Sequence, residues 1–232
     1  IKQPSKKLWH FETKYGLDQC LSDNHNCYYI TSKGNLYNKT FKEIRENHNK
    51  NGFLGKFITT FDYCGNGISL SDNMIRLMVA VFADGSFNYN LKPTADTYNQ
   101  CRFHLKKERK KERLEKLLNQ LNIIFKKKKS AVDGYDDYYC NVPFRCKHFP
   151  SEWYNCTKNQ FKIITEEVMF WDGYYKKNNG FCTSSKSDAD FIQFAYSSLG
   201  YRTTILKDDR LGEEYKINNK KYLRKSTYYS IS

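Results

Sequence analysis

The stretch Leu77–Phe87, LMVAVFADGSF, is an apolar run that ends on an aspartate and a glycine. A second apolar run, Thr165–Tyr175 (TEEVMFWDGYY), ends in the same way. In the first run the apolar positions cover almost the whole circumference of a helix, which predicts that the helix is buried. One Asp-Gly pair is an ordinary turn signal, whereas two such pairs at corresponding positions call for a structural explanation.

The elements predicted after the two runs follow the same order. The first run precedes strands in SFNYNLK and CRFHLKK, a helix in ERKKERLEKLLNQLNI, and strands in IIFKKKK and DDYYCNVPF. The second precedes strands in YYKK and GFCTSS, a helix capped by Ser187 or Asp188 and closed by Gly200, and strands in YRTTIL and TYYSIS. The matched order around Asp84 and Asp172 indicates two copies of one αββαββ unit.

The chain therefore divides into three predicted parts. Residues 1–68 form a small N-terminal module, with a hairpin in Tyr28–Asn38 and a short amphipathic helix after it. Residues 69–150 form the first lobe and residues 151–232 the second, which gives an α+β fold with two pseudo-symmetric αββαββ lobes. Because the sequence starts without a methionine or an apolar signal segment, we expect a fragment of a longer protein or a processed chain.

Charge is the strongest compositional feature. The 232 residues include 39 Lys and Arg against 25 Asp and Glu, a formal net charge of +14. Basic side chains next to phosphates release condensed counterions, so the excess favours a polyanionic partner, with nucleic acid first. A Lys, Asn and Tyr bias from an AT-rich genome would produce the same excess. No apolar stretch approaches the ~20 residues of a membrane span, which excludes a membrane protein of that kind.

Eight cysteines suggest a disulfide or zinc framework until their spacing is considered. The groups Cys20 with Cys27, and Cys140 with Cys146 and His148, miss the intervals of structural zinc sites. We interpret the cysteines as reduced, mostly buried thiols of a cytoplasmic protein, although an organelle is also compatible.

Two apolar helices that end in Asp-Gly, each followed by a strand pair, a helix and another strand pair, resemble the LAGLIDADG homing endonucleases. The motifs are LMVAVFADG (77–85) and TEEVMFWDG (165–173). The segments FCTSSKSDADFIQFAYSSLGYRTTI and FPSEWYNCTKNQFKIITEEVMFWDG also resemble endonuclease domains of phage inteins. The resemblance covers about residues 69–232. It implies a single-chain, double-motif enzyme of phage intein or intron type that acts as a monomer with internal pseudo-two-fold symmetry on double-stranded DNA.

The resemblance also implies the site residues. The two motif helices would pack side by side, so that Asp84 and Asp172 meet at the DNA in the family's metal-binding position and hold Mg²⁺. The metal would support phosphodiester hydrolysis. Family members place a basic residue after the last strand of a lobe, close to the metals; in the first lobe this position falls near Lys147. Its equivalent in the second lobe would fall beyond Ser232.

Each lobe would supply a four-stranded sheet that follows the DNA major groove, with alternate side chains facing the bases. The basic run KKERKKER (106–113) is predicted on a solvent-facing helix or at the edge of the lobe, where it would contact phosphates at most. The bulky Phe170 and Trp171 of the second motif predict a looser or shifted helix interface than the small Ala80 of the first. The DNA-contact candidates on the strands are Asn88, Asn90, Arg102, His104, Lys126, Lys128, Tyr174, Lys176 and Arg202.

Two other functions stay open. The same fold can serve as an inactive DNA- or RNA-binding domain, either as an intron maturase or inside a larger phage replication or transcription protein. A basic structural protein without a nucleic-acid site is the third possibility, and it predicts weak DNA binding that is insensitive to salt. The sequence shows neither a nucleophilic cysteine at its start nor a His-Asn ending, so an intact intein is only partly supported.

Overall fold

The structure is a computed structural model. It describes residues 7–12, 18–51, 55–87, 99–175, 179–217, 220–223 and 225–232. Within these ranges, every helix is too short or too polar to cross a membrane.

The N-terminal part of the chain forms two small sheets and one helix. The predicted hairpin is present, with Gly34 at a φ of +81° in its turn. A small core of Leu21, Cys27, Phe41 and Ile44 holds these elements together. The elements are β1 (Leu8–Glu12) paired with β2 (Asp18–Ser22), a sheet in the order β4-β3-β5 made of β3 (Asn26–Thr31), β4 (Leu36–Thr40) and β5 (Gly55–Phe57), and α1 (Phe41–Asn51).

The rest of the chain contains two units with the same order of helices and strands. The first unit consists of α2 (Asp72–Asp84), β6 (Gly85–Phe87), β7 (Gln100–Leu105), α3 (Glu108–Gln120), β8 (Phe125–Lys129) and β9 (Asp136–Asn141). The second unit consists of α4 (Lys158–Asp172), β10 (Tyr174–Tyr175), β11 (Asn179–Thr183), α5 (Lys186–Ser198), β12 (Ile205–Asp208), β13 (Glu214–Ile217), β14 (Lys220–Leu223) and β15 (Tyr228–Ile231).

The two larger sheets share one antiparallel topology. Their strand orders are β6-β7-β9-β8 and β10-β11-β15-β12, so the strands correspond one to one. The hairpin β13–β14 forms a separate two-stranded sheet inserted between β12 and β15. The predicted α+β fold with two αββαββ units is therefore confirmed, with this hairpin as an addition that the sequence analysis missed.

Local hydrogen bonds explain where the helices begin. The Ser71 side chain accepts from the Met74 N–H at the start of α2, and Thr157 forms a capping box with Gln160 at the start of α4. Helix α5 is capped by Ser185, whose hydroxyl accepts from the backbone N–H of residue 188. The prediction of Ser187 or Asp188 as this cap is wrong, because the helix begins two residues earlier.

Helices α2 and α4 pack against each other and form the centre of one continuous core. Ala80 of α2 and Trp171 of α4 are both buried in it. The segment before α2 lies along the second unit: the Gly65 and Gly67 N–H groups donate to the carbonyls of Cys156 and Asn155. These contacts join the two units in addition to the helix pair.

The cysteines are all free thiols, of which Cys27, Cys101, Cys140 and Cys156 are buried. Burial raises the pKa of the Cys101, Cys140 and Cys156 thiols to about 12. Their thiolate forms are therefore scarce at neutral pH, and these residues serve as small core side chains.

Candidate functional site

The two motif aspartates are the last residues of the two packed helices. Asp84 ends α2 and Asp172 ends α4, and a glycine follows each. A Cβ on Gly173 would lie 2.4 Å from the Met169 carbonyl oxygen, so the sharp exit from α4 requires glycine. A Cβ on Gly85 would lie 2.8 Å from the Val81 carbonyl oxygen. The two Asp-Gly pairs thus end their helices in the same way.

The two carboxylates converge on one ammonium group, that of Lys110. Lys110 Nζ lies 2.5 Å from Asp84 Oδ2 and 3.7 Å from Asp172 Oδ1. The C-terminal ends of the two helices add partial negative charge at the same place. Burial, and then repulsion by the Asp84 carboxylate, raise the pKa of Asp172, while Lys110 and Lys147 oppose that rise. Each unit therefore contributes one carboxylate to the contact with the Lys110 ammonium.

The predicted solvent-facing position of the run 106–113 is wrong for two of its lysines. Lys110 and Lys111 are buried, and Lys111 Nζ lies 2.9 Å from the buried Asp136 carboxylate. The physical reason is that the first turn of α3 packs against negative groups. Lys110 faces the carboxylates of Asp84 and Asp172 at the ends of α2 and α4, and Lys111 faces that of Asp136. Lys110 was not among the predicted site residues, although the helical period contains a signal for it: Lys110 and Lys111 lie four and three residues before Leu114, on the buried face of α3.

The neighbouring arginine of α3 holds the end of α4. Arg109 Nη1 donates to the Phe170 carbonyl oxygen at 2.5 Å. The Arg109 guanidinium also lies 4.6 Å from the centre of the Phe170 ring, and Lys110 Nζ lies 5.7 Å from the Trp171 ring. A cation that binds the last carbonyls of a helix is stabilised by the helix dipole. The helix α3 of the first unit is thereby fixed to the motif helix of the second.

A buried carboxylate joins three helices just below the site. Glu167 of α4 is 1% exposed and pairs with Arg76 of α2 at 2.7 Å and with Arg113 of α3. The Trp171 Nε1–H donates to the other oxygen of Glu167 at 3.1 Å. Glu167 is thus the shared partner of groups from α2, α3 and α4. The sequence gives little sign of this role, because Glu166 beside it is also acidic and is exposed.

Lys147 is a second ammonium group at the site. Its Nζ donates to the carbonyl oxygens of Val81 at 2.8 Å and Gly85 at 2.5 Å, at the end of α2. Burial lowers the pKa of Lys147, and the nearby Asp172 and Asp84 carboxylates counteract that effect. The structure therefore brings Lys147 together with both aspartates.

A cavity of about 300 Å³ opens beside Asp172 and Lys147. Its wall includes His148, whose Nδ1 lies 2.9 Å from Asp188 Oδ2. The buried Asp188 also accepts from the Phe149 N–H at 3.0 Å. The sequence does not indicate this pair, because His148 follows β9 whereas Asp188 lies 40 residues later on α5.

The donor set suits a hard divalent cation. The Asp84 and Asp172 carboxylates both contact the Lys110 ammonium and so lie close together. The described ranges contain no group of three or more His, Cys, Asp and Glu residues that could hold a metal, so these two carboxylates would be the protein ligands. Mg²⁺ is commonly bound by one or two carboxylates, with water and substrate phosphates as the other ligands. Asp84 and Asp172 fit that pattern, provided that the Lys110 ammonium moves aside.

Four of the DNA-contact candidates lie on one face of the first unit's sheet. Along β7, Arg102 and His104 are exposed whereas the alternating residues Cys101, Phe103 and Leu105 are buried. In the register, Tyr139 of β9 pairs with Arg102 of β7 on one side and with Lys126 of β8 on the other. Asp137 of β9 pairs in the same way with His104 and Lys128. Residues directly opposite each other in antiparallel strands share a face, so Arg102, His104, Lys126 and Lys128 all lie on the outward face.

One carboxylate lies among these cations. Asp137 accepts from Arg102 Nη2 at 2.9 Å and lies 2.8 Å from His104 Nδ1. It therefore orients both side chains on the outward face. Lys127, which lies between Lys126 and Lys128 on β8, points to the opposite face of the sheet. Its Nζ lies 2.7 Å from the carboxylate of Glu115 on α3.

The remaining DNA-contact candidates lie elsewhere. Tyr174 is on β10, where its hydroxyl lies 2.9 Å from the Ser230 hydroxyl. Arg202 is not on a strand: the strand predicted in YRTTIL begins only at Ile205, because the chain is still leaving the turn at Gly200. Arg202 instead lines a cavity of about 520 Å³ together with N-terminal residues such as Trp9. Asn88, Asn90 and Lys176 lie outside the described residues.

No protein-family model and no curated protein matches the chain. Among solved structures it is similar to full-length DUF199/WhiA from Thermatoga maritima, with 10% identity and a TM-score of 0.43 over 72% of this chain and 53% of that chain. Structures of mesophilic variants of the homing endonuclease I-DmoI give 15% identity and a TM-score of 0.47, over 69% of this chain and 88% of that one.

A structure of I-DmoI in complex with its target DNA in the presence of Mg gives 15% identity and a TM-score of 0.46, with 69% and 89% coverage. The chain spans about half the length of WhiA. Likeness at this level assigns neither a family nor an activity to the chain.

Proposed function

We propose that the chain is a site-specific double-stranded DNA endonuclease of the LAGLIDADG homing type, with Mg²⁺-dependent phosphodiester hydrolysis. The observation that carries this proposal is the convergence of Asp84 and Asp172, one from each unit, on a single cation position. The two sequence motifs support it, because each places its aspartate at the end of a buried helix. Since one chain supplies both carboxylates, the enzyme would act as a monomer.

The proposed roles follow from the contacts. Asp84 and Asp172 would hold the metal, which when bound would neutralise charge at the scissile phosphate and lower the pKa of the attacking water. Lys147 is anchored to two carbonyls at the end of α2, so its ammonium is held in place beside both carboxylates. Burial lowers its pKa, which suits a residue that shares a proton with the attacking water.

The outward face of the β7–β9 sheet is the proposed DNA surface. Arg102, His104, Lys126 and Lys128 would contact the major groove and the neighbouring phosphates. Because Asp137 already fixes Arg102 and His104, these two side chains are preorganised for base contacts, whereas the exposed lysines of β8 suit phosphates.

We expect the double substitution Lys126→Ala with Lys128→Ala to weaken DNA binding at every sequence. Each lost phosphate contact lowers the slope of log K against log salt by about 0.9, so the slope should fall by about 2 for the pair. Fluorescence anisotropy at several salt concentrations measures this slope. The matched control removes two exposed helical lysines, Lys116 and Lys186, and should leave the slope near that of the unmodified chain.

An unchanged slope in the Lys126 and Lys128 variant would remove this sheet face from the DNA surface. Weak, salt-insensitive binding by the unmodified chain would instead favour a basic structural protein.

A second candidate function is an inactive DNA- or RNA-binding domain, of the maturase kind or within a larger phage replication or transcription protein. One specific observation favours it: the Lys110 ammonium already neutralises both motif carboxylates. In that case the aspartates would be structural partners of α3, and the outward sheet face would carry the whole function.

The two candidates are separated by incubating the intact protein with Mg²⁺ and double-stranded DNA from its source locus. The endonuclease predicts a break at one defined place that is prevented by a chelator. Tight, salt-dependent binding without any nicking would overturn the endonuclease and support the binding domain.

A further inference from the structure

Lys110 occupies the position that a shared metal ion would take. Its Nζ contacts both Asp84 and Asp172, and its side chain is only 10% exposed. The position of Lys110 is fixed by the packing of its helix, α3. Arg109 binds the last turn of α4 and Arg113 pairs with Glu167, so α3 is fixed to α4 on both sides of Lys110.

We propose that Lys110 is a resident counter-ion that competes with divalent cations for the Asp84–Asp172 pair and so sets the metal affinity of the site. This inference rests on the proposed metal site. A divalent ion that binds both carboxylates must displace the ammonium, because two like charges a few ångströms apart repel strongly in a partly buried place. The long lysine stem permits such a displacement.

The inference has a specific consequence for affinity. Removing the charge at position 110 takes away the competitor and leaves both carboxylates in place. Divalent cations should then bind at least about tenfold more tightly, since an ammonium that contacts both carboxylates opposes every ion that enters. If Lys110 served only to pack α3, its substitution would not raise the affinity for divalent cations.

Mn²⁺ is the probe for the test, and the electron paramagnetic resonance signal of free Mn²⁺ reports binding without any need for activity. Lys110→Met preserves the length of the side chain without its charge, and Lys110→Gln is the second variant if the first does not fold. Lys116→Met removes the same charge from an exposed position on the same helix. The double variant Asp84→Asn with Asp172→Asn removes the carboxylates.

We expect Lys110→Met or Lys110→Gln to bind Mn²⁺ at least about tenfold more tightly than the unmodified chain, with Lys116→Met unchanged and the double Asp→Asn variant lacking the site. An unchanged affinity in both Lys110 variants, with binding still lost in the double Asp→Asn variant, would overturn the counter-ion role and leave the proposed metal site intact. Retention of the site in the double Asp→Asn variant would overturn the metal site itself.

Discussion

Asp84→Asn and Asp172→Asn are each expected to lower the rate of the proposed Mg²⁺-dependent DNA cleavage by at least about a hundredfold, or ~2.7 kcal/mol of transition-state stabilisation. The amide is similar in size to the carboxylate but carries no charge, so it is a poor ligand for a hard cation. Both carboxylates face the same point, where each would supply one ligand to the metal, so neither aspartate can replace the other. Single-turnover cleavage of DNA from the source locus measures the rate.

The matched control for these variants is Asp72→Asn. Asp72 is at the opposite end of α2 from Asp84, so its substitution removes the same charge from the same helix without touching the site. Cleavage by Asp72→Asn should stay near that of the unmodified chain. If Asp84→Asn or Asp172→Asn cut as fast as Asp72→Asn, that aspartate would have no role in the chemistry.

Glu167→Ala is expected to lower the free energy of unfolding by about 3–5 kcal/mol, the usual cost of breaking a buried ion pair by removing one partner. The substitution leaves the Arg76 and Arg113 guanidinium groups without their shared carboxylate, and it removes the acceptor of the Trp171 Nε1–H. All of these groups lie between helices of the two units, so the loss should affect the whole molecule. Urea denaturation measures it.

Glu166→Ala is the control for Glu167→Ala. Glu166 is the preceding residue of α4 and is exposed, so this substitution should change the stability by no more than about 0.5 kcal/mol. A Glu167 variant as stable as the Glu166 variant would show that the buried carboxylate does not hold the units together.

Periodicity predicted much of the fold. Helical spacing identified the buried helices that end at Asp84 and Asp172, and strand alternation predicted that Arg102 and His104 share one face of β7. Alternation alone did not predict which face of the sheet points outward. These features are local, because a helix or strand imposes them on its own residues. The order of the elements then predicted two units of the same kind, and the sheet topologies agree with that prediction.

The missed features depend on contacts between distant parts of the chain. Lys110 lies in a basic run that resembles a solvated helix face, and it is buried because α3 of the first unit packs on the end of α4 in the second. The pair of His148 and Asp188 likewise joins residues that lie in different units. Arg202 was misplaced because the length of the turn after α5 could not be predicted.

Strand-resolved cleavage of double-stranded DNA from the source locus in Mg²⁺, with a different label on each strand, tests whether Asp84 and Asp172 together form a nuclease site. We expect the unmodified chain to cut both strands at one defined place, and the double Asp84→Asn, Asp172→Asn variant to bind the same DNA but cut neither strand. Cleavage by the double variant at the rate of the unmodified chain would show that the two aspartates do not form the nuclease site.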